Sequence, residues 1–114
     1  MGRSAIVAGT GFENPDGSNR CNIIRRFVRD GMEVTLIREQ YNMHDPNAVA
    51  VYISAPRLFG LLGTSQKQIG YLKASAAKSI AKRMDDGEKI TGHVANYYAP
   101  AGIDHPRVSL LLEY

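Results

Sequence analysis

Asn42-Met43-His44-Asp45-Pro46-Asn47-Ala48-Val49-Ala50-Val51 is the stretch that decides how this chain is read. Its first half is polar and turn-forming, and its second half is a run of small and β-branched residues that reads as a buried strand. An amide, an imidazole and a carboxylate therefore stand at a strand's entrance. Downstream, Gly70-Tyr71-Leu72 places an aromatic beside a strand glycine, a position where another backbone or a ligand can approach closely. The two segments together read as a recognition rim on a small barrel.

Working outward, Ser4 to Gly9 is short and β-prone, and the turn residues Gly9-Thr10-Gly11 and Asn14-Pro15-Asp16-Gly17 follow it. Ser18 or Asn19 can cap a helix from Arg20 to Asp30, with Ile23, Ile24, Phe27 and Val28 on one face and Gly31 at its left-handed end. Met32 to Arg38, Ala48 to Ser54 and Gln68 to Lys73 read as strands. A second helix is expected from Ala74 to Asp86, its apolar stripe formed by Ala74, Ala77, Ile80, Ala81 and Met84, with Lys78 and Lys82 facing out. Lys89 to Tyr98 and Arg107 to Glu113 complete six strands and two helices. Without βαβ alternation, this favours a mainly β (α+β) antiparallel small barrel or sandwich with helices packed on it.

A chain of 114 residues fits one domain spanning 1–114. Its 44% hydrophobic and 22% charged residues are ordinary for a globular protein, and its net charge of +3 is compatible with a polyanionic partner. The single cysteine, Cys21, excludes an internal disulfide, and it builds no familiar zinc spacing with His44, His93 and His105. The start lacks a secretory signal, and no apolar run reaches membrane-spanning length. The expectation is a cytoplasmic protein with no membrane contact.

Nothing in the sequence sets a nucleophile beside a base, and no cofactor motif is complete. Gly9-Thr10-Gly11 is half of a dinucleotide fingerprint without its βαβ frame. Glu39 with Asp45, or Asp85, Asp86 and Glu88, are the acids that a metal-dependent hydrolase would use, and that reading ranks last. No enzyme and no cofactor are expected.

Binding is the better supported class. Asp45 and Asn47 are residues a turn would choose anyway, Asp45 capping the Asn47 and Ala48 amides. Asn42 and His44 are not needed for such a turn and point to recognition. Tyr71 is either core or contact surface. Lys73 stands at a helix start, where a cation and free amides suit a phosphate. Phe12, on a turn, is either a core plug or a stacking platform for a base. One of the adjacent Tyr97 and Tyr98 must face out. Arg20, Arg25, Arg26 and Arg29 give the first helix a basic outer side, whose ordinary meaning is solubility. Leu58, Phe59, Leu61 and Leu62 occupy a hairpin tip that should be polar, which suggests a homo-oligomer contact.

The segments Val7 to Asn14, Gly31 to Glu39, Asn42 to Val51 and Ile69-Gly70-Tyr71-Leu72 together resemble those of the HIRAN domain, in its stand-alone bacterial or phage form. The resemblance runs over nearly the whole chain and implies a six-stranded OB-like barrel with two packed helices. It implies a module that binds single-stranded DNA at a free 3′ end, working in DNA repair or replication-fork processing, with a helicase-like ATPase as a partner in trans. By that resemblance Asn42 and His44 would flank the terminal nucleotide, and Asp45 would accept a hydrogen bond from the 3′-hydroxyl. Phe12 would stack on a base, and Tyr71 and Lys73 would contact phosphate. Three positions depart from the pattern: His44 stands where the 3′-end-binding members carry an aromatic, Gly11 where they carry a basic residue, and Ala74 where they carry a lysine. The departures bear on the ligand more than on the fold. The alternatives are an oligomeric adaptor that ignores DNA and an accessory domain of a helicase-like ATPase system.

Overall fold

The computed structural model describes residues 1–57 and 60–114. The elements are β1 (Gly2–Ala8), α1 (Arg20–Phe27), β2 (Glu33–Arg38), β3 (Val49–Pro56), β4 (Thr64–Leu72), α2 (Ala74–Asp85), β5 (Thr91–Tyr98) and β6 (Arg107–Glu113). The strands close into a barrel in the order β1-β4-β3-β2-β5-β6, with antiparallel pairing throughout. The expected six-stranded barrel with two helices is therefore the observed fold.

Inward-pointing residues follow the two-residue period of a strand. On β6 these are Val108, Leu110 and Leu112, and on β3 they are Val49, Val51 and Ile53, all essentially buried. Ala48 and Ala50 are buried as well, so the start of β3 is covered on both faces and reads as the apolar run seen in the sequence. The α2 helix packs against β1 and β3, and α1 packs against β4.

Two short seams close the barrel, and a glycine sits at each. The β1–β4 seam pairs Val7 with Leu72 and Ala8 with Tyr71. Gly70 there has φ +153°, and a Cβ on it would overlap the Ala8 carbonyl oxygen and come within 2.7 Å of Val7 Cγ1. What approaches Gly70 is thus the protein's own first strand. At the β2–β5 seam a Cβ on Gly92 would lie 2.9 Å from Leu112 Cδ2.

Several boundaries differ from the expected ones for identifiable reasons. The first helix stops at Phe27 rather than Asp30. Val28 turns extended (φ −70°, ψ 133°) so that its side chain is fully buried, while its N–H still closes the last helical bond to Ile24 O. Gly31 is left-handed (φ 82°), but in the turn into β2, where its N–H donates to Val94 O at 2.7 Å. Asn19 is the N-cap, accepting from the Asn22 amide at 3.1 Å. The β4 strand begins at Thr64, not Gln68, because Thr64, Ser65 and Gln66 pair with Pro56, Ala55 and Ser54 in a polar arm without apolar alternation. In α2 the buried stripe is Ala76, Ala77, Ile80 and Ala81, and Ala74 is exposed. Lys78 and Lys82 face out as expected.

Candidate functional site

The turn between β2 and β3 is stapled by its own side chains. Asn42 Oδ1 accepts from the His44 amide at 2.8 Å and the Asp45 amide at 3.0 Å. Asp45 Oδ1 accepts from the Asn47 amide at 2.8 Å, whereas the Ala48 amide goes to the Asp45 main-chain carbonyl at 3.1 Å. Asn42 is therefore the residue that makes the turn, contrary to the expectation that the turn does not need it. Asp45 caps one of the two expected amides.

Behind this turn lies a polar scaffold. Glu39 Oε1 accepts from Asn42 Nδ2 at 3.0 Å and from the Tyr71 hydroxyl at 2.9 Å. The Arg20 guanidinium lies over the Tyr71 ring, 5.5 Å from its centroid, within cation–π range. Arg20 Nε donates to Asn14 Oδ1 at 2.7 Å and its NH1 to Gly9 O at 3.0 Å. Asn14 Nδ2 in turn donates to Gln68 O at 3.0 Å. Side chains from the β1–α1 turn, α1, the β2–β3 turn and β4 are thereby tied into one frame.

Arg20 corrects the expected basic outer side of α1. It is only 6% exposed and points inward, and Arg29 lies beyond the helix end, so Arg25 and Arg26 remain for that side, with Arg25 also donating to Ile103 O. The reason is its spacing, since positions 20, 23, 24 and 27 share one helical face and Ile23, Ile24 and Phe27 pack on the core.

These elements enclose an open groove of about 1010 Å³. Phe12, Asn42, His44, Asp45 and Tyr71 line it together with Glu13, Asn14, Arg20 and Ala74. It is more capacious than the cleft of about 660 Å³ between the two chain ends. Phe12 is no core plug. Its main chain is fixed by bonds to Gly9 O and from the Arg20 amide, while its ring is 67% exposed. Lys73 lies outside the groove-lining set; it is exposed at the head of α2, with its amide donating to Ile6 O at 2.8 Å. The groove is not strongly basic, because its lining holds the carboxylates of Glu13 and Asp45 against one permanent cation, Arg20. Gly11 has no room for a side chain, as a Cβ there would overlap the His105 imidazole and lie 2.9 Å from Asp104 O.

The sequence reading missed Arg20 and the structural use of Glu39. It also did not single out Tyr41 and Met43, which are 94% and 97% exposed on the stapled turn. Helical spacing could have found Arg20; Glu39 carries no comparable signal. Of the hairpin tip, Leu61 is 84% and Leu62 56% exposed, while Leu58 and Phe59 lie outside the described residues. Tyr98 faces out and Tyr97 packs against the core.

Among the described residues no group of three His, Cys, Asp or Glu side chains could hold a metal ion. Asp85, Asp86 and Glu88 each pair with a cation, respectively Arg38, Lys82 and Arg83. The Arg38 guanidinium, then the Gln40 amide, hold the Asp85 carboxyl below its usual range. Burial, and then the negative charge of Glu39, push the Tyr52 phenol upward.

No curated protein sequence matches the chain significantly. Two solved structures share the fold. The HIRAN domain of human HLTF is 22% identical with a TM-score of 0.63, over 97% of this chain and 72% of that one. A protein from Lactobacillus plantarum is 24% identical with a TM-score of 0.66, over 97% of this chain and 92% of that one. The sequence model of the HIRAN domain matches residues 5–102, and the chain belongs to the HIRAN family.

Proposed function

We propose that the groove binds the free 3′ end of single-stranded DNA, and that the protein serves DNA repair or replication-fork processing as a binding module. The observation that supports this most is convergence: Phe12, Asn42, His44, Asp45 and Tyr71 come from three separate segments and line one groove. An exposed aromatic ring offers a sequence-tolerant surface for stacking a base. A carboxylate repels phosphate but gains from a hydroxyl donor, and a chain terminus has a hydroxyl that an internal nucleotide lacks. In this reading Asp45 uses its carboxylate on the terminal 3′-hydroxyl, Phe12 stacks on a base, and Asn42 and His44 flank the last nucleotide. Tyr71 meets the adjoining phosphate inside the groove by turning its one hydroxyl proton from Glu39 to the ligand, and Lys73 meets the backbone only beyond the rim.

Fluorescence anisotropy tests this with four labelled ligands: a strand with a free 3′-hydroxyl, the same strand with a 3′-phosphate, a circular strand and a blunt duplex. The free 3′-hydroxyl strand should bind tightest. Equal affinity across the panel rejects end recognition, and binding to none of them rejects the nucleic-acid reading altogether.

A second reading, a homo-oligomeric adaptor, is favoured by the exposed Leu61 and Leu62. Light scattering should then give an oligomer that Leu61→Asp converts to a monomer, and a monomeric wild type disposes of it. A helicase-like ATPase is the further partner proposed for the end-binding reading.

A further inference from the structure

We propose a second nucleic-acid contact, a phosphate track along the outer face of α2, which takes the part of the strand on the 5′ side of the bound 3′ end. It rests on the end-binding reading of the main groove. A separate groove of about 640 Å³ lies beside α2, lined by Arg3, Lys78 and Lys82 with Ser75, Ser79 and Asn47. Ala74 borders both grooves, and Asn47 brings the stapled turn to the edge of the second. A strand leaving the main groove past the small side chain of Ala74 therefore enters this one directly.

The chemistry along that path suits a phosphate backbone. Arg3 reaches from β1 across to α2, where NH1 donates to Ser79 Oγ at 3.0 Å and NH2 to Ser75 O at 2.8 Å. These bonds hold the guanidinium at the groove and leave further N–H donors for a ligand. Among the described residues no carboxylate pairs with Arg3 or Lys78. Lys82 pairs with Asp86 at 3.1 Å, but both side chains are largely exposed, so a phosphate can replace that partner. The groove's acid, Asp85, is already engaged by Arg38 and Gln40 at 3.0 Å each. Lys78 and Lys82 are one turn apart on the same face, about 6 Å along the axis, a separation that suits successive phosphates of an extended strand. Ser75 and Ser79 add hydroxyls between them. This surface carries the cations that the main groove lacks.

The test compares strands of about four and about twelve nucleotides, both with a free 3′-hydroxyl, on the wild type and on Lys78→Ala/Lys82→Ala. Both lysines are exposed, so the double variant keeps the fold, checked by its circular dichroism. At low salt the wild type should bind the longer strand about tenfold more tightly, and the variant should lose that advantage while binding the short strand as before. The slope of log affinity against log salt for the longer strand should fall by about 1.4, about 0.7 for each phosphate that a lysine no longer neutralises. If the wild type binds both lengths alike, or the variant keeps the whole advantage, the track is rejected and the end-binding groove stands. If the short strand does not bind at all, the end-binding reading is rejected and the track with it.

Discussion

Replacing Asp45 by asparagine separates the two jobs that this carboxylate would perform. In the folded chain its Oδ1 accepts the Asn47 amide at 2.8 Å, which any side-chain oxygen at that position can do. Asparagine keeps the oxygen and the shape, so the turn and the melting temperature should be unchanged. The negative charge is removed, and the second carboxylate oxygen becomes an amide nitrogen that donates and cannot accept. A hydrogen bond from a 3′-hydroxyl to a charged acceptor is worth about 1.5–3 kcal/mol, so affinity for a strand with a free 3′ end should drop about 10- to 150-fold. A strand ending in a 3′-phosphate should respond in the opposite sense, because the variant no longer sets a carboxylate against a phosphate. Anisotropy titrations of the two strands at one salt concentration give the ratio directly. A parallel loss on both strands would show that Asp45 acts through the turn, and no loss on either would show that it touches nothing; both refute the role assigned here.

Three further substitutions probe the frame around the groove. Gly70→Ala forces a methyl against the Ala8 carbonyl at the barrel seam, and should cost at least about 2 kcal/mol, read as a lower urea midpoint; an unchanged midpoint means the seam is not tight. Arg20→Leu leaves the buried Asn14 Oδ1 without its Arg20 donor, at about 1–3 kcal/mol, while Gly9 O keeps the Phe12 amide, and a midpoint equal to wild type removes Arg20 from the frame. Asp85→Asn tests the link from β2 to α2. Because the bonds from Arg38 and Gln40 depress the Asp85 pKa below 3.8 in the folded chain, its contribution is present above the unfolded value and lost as pH falls through the folded one. Wild type should exceed the variant in stability at neutral pH and converge with it in strong acid; a constant gap across the titration contradicts the assignment.

The barrel was legible because its strands carry period-two burial, as in Val108, Leu110 and Leu112, or an unbroken apolar run, as in Ala48 to Val51. The polar arm of β4 was not, since Thr64 to Lys67 is held by backbone pairing to β3 and has no pattern to read. Helix α1 was overextended because a glycine four residues past its end supplies a stop signal, whereas the real stop is the burial of Val28. At the site, residue type identified the members of the groove better than their work. Asn42, set aside as unnecessary to the turn, holds two of its amides. Arg20, counted as surface charge, is a buried donor whose place on the Ile23–Ile24–Phe27 face was there to be read. The basic outer side expected of the first helix was likewise cut down, because Arg20 is buried beneath it and engaged by Asn14 and Gly9, which only tertiary contacts reveal.

That distribution of charge has a consequence for how a strand would be held. Attraction to phosphates grows with the number of cations that displace counterions, and it weakens steeply with salt. In the main groove the permanent cation is Arg20, already committed to Asn14, Gly9 and the Tyr71 ring, and the carboxylates of Glu13 and Asp45 face the same space. Binding there must draw on stacking and on hydrogen bonds from the terminal nucleotide, neither of which releases counterions. Affinity for a very short strand should therefore depend little on ionic strength, and discrimination between chain ends should survive high salt. Steep salt dependence is left to arise where unpaired cations lie along the path, at Arg3 and Lys78. Selectivity for the end and grip on the strand would then reside on different surfaces, and raising the salt should sharpen the first by stripping away the second.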